Sequence, residues 1–119
     1  MDSLELANTA AKAIAEKKGI DIVVIDVSAK TTLCDYFVIA SGRSATQVRA
    51  IADNVDERLK KWIELDPTRS DGVRDGRWAV LDYGNIIVHV MTEECREYYR
   101  LERLWENGEN ITKYEEGQE

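Results

Sequence analysis

The stretch from 36 to 55, YFVIASGRSATQVRAIADNV, decides the reading of the fold. An apolar run ends in a small polar turn, and a helical pattern follows at once. With Asp35 the run is DYFVIAS, rich in β-branched and aromatic residues, and its length fits a strand buried on both faces. Ser44 and Gln47 have the three-residue spacing of a capping box, so a helix is expected from 45. Val48, Ile51, Val55, Leu59 and Trp62 then recur at intervals of three and four, an apolar stripe read as core through about 64. Arg49, Asp53, Glu57 and Lys60 lie off that stripe. Gly42 is expected to turn the chain between strand and helix.

Upstream, residues 3–18 carry a helical pattern through Leu6, Ala10, Ala13 and Ile14. Asp2 or Ser3 is expected to cap its start, and Gly19 to end it in a left-handed conformation. IDIVVIDVS (20–28) reads as another buried strand. Downstream, DPTRSDGVRDGR (66–77) is a loop holding the only proline, Pro67. RWAVLDYGNIIVHVM (77–91) reads as a hairpin turning at Gly84-Asn85. That turn sets the register: Tyr83 opposite Ile86, Asp82 opposite Ile87, Leu81 opposite Val88, Val80 opposite His89, Trp78 opposite Met91. A final helix is expected from a Thr92 cap to about Trp105, followed by a polar tail over 107–119 expected to be disordered. The order α-β-β-α-β-β-α implies an α/β layer fold, a mixed β-sheet of about four to five strands with helices mainly on one face.

The hairpin separates its side chains by period two. Ala79, Leu81, Tyr83, Ile86, Val88 and Val90 form an apolar face suited to helices. Trp78, Val80, Asp82, Ile87, His89 and Met91 form the other, where a tryptophan, a carboxylate and an imidazole mix with aliphatic groups. That composition suits a binding surface, so Trp78, Asp82 and His89 stand out. An open sheet face also invites a second copy of the chain.

Length and charge narrow the partners. One domain fits 119 residues, here taken as 1–106 plus the tail. The segment 106–119 carries five acids against Lys113, hence −4; removing it from the net −7 leaves −3 for 1–105. A polyanion is repelled overall and a basic protein attracted. No apolar run reaches the length of a membrane span, and the N-terminus lacks the layout of a signal peptide, so a cytoplasmic location is expected. Cys34 and Cys95 are then reduced thiols, and no zinc-ligand spacing accompanies His89.

The strand–turn–helix at 36–55 is where phosphates are often held. It lacks both glycine-rich phosphate fingerprints, although it resembles the Gly-Ser turn of the nucleotidyltransferase superfamily. That chemistry uses two metal ions on closely set carboxylates, and the hairpin offers Asp82 alone, with Asp35 as a distant candidate. A capping turn is the better reading, and a residual nucleotidyltransferase-like enzyme or nucleotide-binding protein the alternative. Pairing His89 with Cys34 or Cys95 for nucleophilic catalysis lacks any local motif. Arg96, Arg100 and Arg103, with Tyr99 beside them, are read as pairing with helix acids, leaving direct rRNA contact a minor role.

Taken together, DYFVIASGRSATQVRAIADNV, DGRWAVLDYGNIIVHV and REYYRLERLW resemble the ribosomal silencing factor family, RsfS or Iojap, over most of the chain to Trp105. Asp71-Gly72 departs from the family's usual Glu-Gly and keeps the charge. The resemblance implies a nucleotidyltransferase-like fold without its catalytic carboxylates, hence no enzyme activity, cofactor or metal. It implies a homodimer that binds the large ribosomal subunit through that subunit's protein fourteen and blocks joining of the small subunit, repressing translation under nutrient limitation. Family contact surfaces carry over to Trp78, Leu81, Asp82, Tyr83, His89 and Tyr99. Leu81 and Tyr83 lie on the hairpin's other face in the register above.

Overall fold

The computed structural model describes residues 1–115; the last four residues of the expected disordered tail lie outside them. The chain runs α1 (Ser3–Glu16), β1 (Ile20–Asp26), β2 (Tyr36–Gly42), α2 (Ala45–Ile63), β3 (Arg69–Asp71), β4 (Trp78–Asp82), β5 (Ile86–Thr92), α3 (Glu93–Tyr99), α4 (Leu101–Trp105) and β6 (Ile111–Lys113). The six strands form one mixed sheet in the order β3-β4-β5-β2-β1-β6. Only β2 and β5 are parallel, as the crossover through α2 requires. The α/β class and the hairpin register stand as read from the sequence, with Trp78 opposite Met91 and Asp82 opposite Ile87. Gly84 opens the turn at φ +85°, a conformation that side-chain-bearing residues rarely adopt.

α1 and α2 cover one face. Val48, Ile51, Val55 and Leu59 are fully buried there against Val38, Ala40, Leu81, Ile86, Val88 and Val90. Each such aliphatic side chain contributes about 2 kcal/mol through burial. Trp62, read as core, is instead 37% exposed. It lies at the layer's edge between the cations of Lys12 and Arg58, 5.5 and 5.7 Å from its ring centroid.

The start of α1 falls within expectation, while its end and the role of Gly42 differ for identifiable reasons. α1 is capped by Asp2, which accepts from Glu5 N, while Ser3 Oγ donates to Asp35 Oδ2. Its left-handed stop is Lys18, φ +62°, not Gly19. Gly42 has no positive φ and ends β2; it matters because an added Cβ would lie 3.0 Å from Val48 Cγ2. It lets the first turn of α2 approach the strand rather than reversing the chain.

The sheet has two more strands than the four that the α-β-β-α-β-β-α order contains. β3 and β6 are three residues each, too short to show a period. β6 also corrects the expected disorder after 106. Lys113, Thr112 and Ile111 pair with Val23, Val24 and Ile25, and Asn110 Nδ2 donates to the carbonyls of Asp26 and Trp105. The final helix breaks at Arg100, φ +49°, into α3 and α4. Arg96 holds the break: its Nε donates to Glu102 Oε2 at 2.7 Å, and its Nη1 donates to Ser41 Oγ at 3.1 Å. α4 therefore folds back onto the second sheet face, where Leu101, Trp105 and Ile111 pack against Val23, Ile25, Phe37 and Ile39. That face is only partly open.

Candidate docking surface

Ser44 and Gln47, the capping pair of the strand–turn–helix, are engaged within the chain. Ser44 Oγ accepts from Gln47 N at 3.1 Å, confirming the cap. Gln47 Oε1 accepts from Arg43 N, and its Nε2 donates to the carbonyls of Lys17 and Lys18. The side chain expected to finish a helix cap thus also ties α2 to the end of α1. Asp35 is bound to the Ser3 hydroxyl, and Asp82 Oδ1 accepts from Gly84 N at 2.8 Å. Asp82 thus stabilises its own turn, whereas Asp35 ties the start of α1 to the start of β2. Among the described residues, no group of three or more His, Cys, Asp or Glu side chains is arranged so that it could hold a metal ion.

Thiol and imidazole are also poorly placed for nucleophilic chemistry. Burial pushes the Cys34 thiol up to about 11, with Asp82 and Asp35 adding to the shift. Burial alone lowers His89 to about 4. Neither thiolate nor imidazolium is favoured at neutral pH.

On the second face the rings form a continuous series. Trp105 meets Phe37 edge-on at 5.1 Å between centroids, and Phe37 meets His89 at 4.9 Å. His89 lies 5.9 Å from Trp78, Trp78 lies 5.1 Å from Tyr99, and Tyr99 lies 4.9 Å from Tyr98. Strand register explains the centre of this series. Trp78 is opposite Met91, so His89 occupies the diagonal cross-strand position, within reach of an aromatic side chain. Trp78 Nε1 donates to His89 Nδ1 at 3.1 Å. The outer end is set by α3: Thr92 Oγ1 caps it at Cys95 N, and Tyr99 is its last residue.

From His89 outward, exposure rises along the series. His89 is buried, Trp78 half-buried, Tyr99 55% exposed and Tyr98 79% exposed. Trp78, Thr92, Cys95, Tyr98 and Tyr99 line an open groove of about 820 Å³ together with the charged Arg43, Arg77, Asp75, Glu93 and Glu94. Accessible aromatic rings among charges of both signs suit a protein-binding patch.

Of the six residues singled out from the sequence, Trp78, His89 and Tyr99 come together here. Asp82 shares their face, but lies four residues from Trp78 along β4, about 13 Å away. Leu81 and Tyr83 are buried beneath the helices, 2% and 7% exposed. Tyr98, Phe37 and Trp105 were missed; REYYRLERLW held the signal for two of them, hidden by the assumption of one continuous helix. Of Arg96, Arg100 and Arg103, the first two are paired with acids, Arg96 with Glu102 and Arg100 with Glu97. No helix among the described residues is long and apolar enough to cross a membrane.

Fold and site together define a mixed-sheet α/β domain whose Ser44–Gln47 helix cap is satisfied internally and whose aromatic end is exposed. Its sequence places it more narrowly. The family model described as "Ribosomal silencing factor during starvation" matches residues 1–119, and the chain belongs to that family. It is 37% identical to the "Ribosomal silencing factor RsfS" of Chromobacterium violaceum over 88% of this chain and 85% of that protein. A crystal structure of a C. violaceum protein superimposes with a TM-score of 0.85 at 37% identity, covering 88% of this chain and 87% of that one. The "Mitochondrial assembly of ribosomal large subunit protein 1" of Mus musculus is 33% identical over 77% of this chain and 41% of its own length.

Proposed function

We propose that this chain is a cytoplasmic ribosomal silencing factor. It docks the Trp78–Tyr99 end of its second sheet face on protein fourteen of the large ribosomal subunit. There it occupies space that the small subunit must enter, and so represses translation under nutrient limitation. The observation that carries the choice of surface is the exposed Tyr98–Tyr99 pair, backed by a Trp78 whose indole is already fixed. Family membership and the relatives' names support the class of function.

A steric block needs a stable interface and no bond-making step. A patch of about 800 Å² per partner suffices, and a net charge of −7 favours encounter with a basic ribosomal protein. The protein acts as a homodimer in this reading. Mixing purified large and small subunits and following joining by light scattering tests the mechanism. Added wild-type protein should slow joining, and Tyr98→Ala with Tyr99→Ala should relieve the effect. Joining at an unchanged rate with saturating wild-type protein would contradict the block.

A further inference from the structure

The innermost polar group of the ring series is His89, the only histidine of the chain. Its imidazole is covered by Phe37 from β2 and Trp78 from β4. The bond from Trp78 Nε1 to His89 Nδ1 requires a neutral ring, because Nδ1 accepts only when it carries no proton. The ring's one proton is therefore on Nε2, which is buried without a hydrogen-bond partner. Such a group gains nothing from partner contact where it lies. It acts on the surface only through the indole it holds.

We infer that His89 is a positioning residue, not a contact residue. It fixes Trp78 in its docking orientation, and its protonation breaks the latch, so docking weakens in mild acid. The inference rests on the docking reading above for its binding consequence, but not for the latch itself.

The chemistry at the latch is one-sided. A second proton on the ring would turn Nδ1 into a donor facing the indole N–H, two donors with no acceptor between them. It would also place a charge in a pocket of aromatic and aliphatic side chains. The surrounding elements carry Tyr36 on β2, Asp82 on β4, and Glu93, Glu94, Cys95, Arg96, Glu97, Tyr98 and Tyr99 on α3, with Cys34 just before β2. None of them contributes to the shift of His89, whose cause is burial alone. Among the described residues, no carboxylate offsets the cost of an imidazolium there. Exposed, the ring would titrate in the ordinary range near 6.5; latched, it titrates at about 4. Linkage then caps the shift toward the released state at about tenfold between pH 7.5 and 5.5.

Two measurements on the full chain separate the latch from the docking. The Hε1 resonance of the one histidine and the Trp78 indole N–H resonance, the latter assigned by its loss in Trp78→Phe, are followed from pH 7.5 to 4. The inference expects both to move with one depressed midpoint. Trp78→Phe, which keeps a ring but removes the donor, should raise the imidazole midpoint. His89→Asn offers an acceptor near the Nδ1 position, so it should leave the indole resonance pH-insensitive. An imidazole midpoint near 6.5 in the wild type, or an indole resonance that ignores it, overturns the latch. Affinity for purified large ribosomal subunits is then compared at pH 7.5 and 5.5. The wild type should weaken by up to about tenfold and His89→Asn should not; equal weakening of both would overturn the coupling. Should neither protein bind at any pH, the docking reading fails while the resonances still decide the latch.

Discussion

A methyl group at Gly42 would put a Cβ 3.0 Å from Val48 Cγ2 and 3.1 Å from Val48 N. Neither is the free end of a flexible chain, so strand and helix must separate. Gly42→Ala is expected to cost about 1–2 kcal/mol, read as a lower melting temperature. His89 makes stability pH-dependent in a defined direction. Its folded pKa is depressed to about 4, below the ordinary 6.5, so the unfolded chain binds more protons between those values. Its contribution is complete above pH 6.5 and declines as pH falls toward 4, by up to about 1.4 kcal/mol per pH unit. Denaturant midpoints at pH 7.5 and 5 should differ accordingly, and His89→Asn should reduce the difference. Residue-scale legibility was uneven. The Ser44–Gln47 cap was readable because its partners are three apart in sequence. The second bond of Gln47, to the end of α1, joins residues some thirty apart and leaves no local signal.

Among the elements, α2 and the β4–β5 hairpin were legible because a long period and a turn glycine each repeat one instruction many times. The C-terminal segment was not. Its helix propensity runs through Arg100, yet tertiary bonds from Arg96 to Glu102, Ser41 and the Ile20 carbonyl favour a break. Those bonds are largely shielded from water, with the Arg96 side chain 12% exposed. Arg96→Ala is therefore expected to cost about 2 kcal/mol and to loosen α4, seen as faster amide exchange over 101–113. β6 follows from the same geometry, since only a folded-back α4 returns the chain to the edge of β1. Ending the chain at 106 should remove that edge strand, uncover part of the second core around Ile25 and Phe37, and lower the melting temperature. An unchanged melt would show that β6 adds no stability.

For the whole molecule, two sheet faces have different uses. One is a dry core under α1 and α2 and accounts for Leu81 and Tyr83. The other is half covered by the C-terminal segment and leaves Trp78, Tyr99 and Tyr98 as its open end. Period-two alternation predicted that division, which is why Trp78 and His89 were found together from sequence. Tyr98 was missed because exposure depends on where α3 stops, a three-dimensional fact. The proposed role draws on the overall charge as well as the patch, so binding should weaken as salt rises from 50 to 300 mM, mainly through slower association.

The most direct test of the docking surface is co-sedimentation with purified large ribosomal subunits. Tyr98 and Tyr99 are more than half exposed, so alanine there leaves the core intact and binding can be read without a folding correction. The account predicts that the wild type pellets with the subunits. Tyr98→Ala/Tyr99→Ala and Trp78→Ala should stay in the supernatant with wild-type circular dichroism, a loss of at least about 30-fold in affinity if the patch is a hot spot. Wild-type pelleting of these folded variants would contradict it.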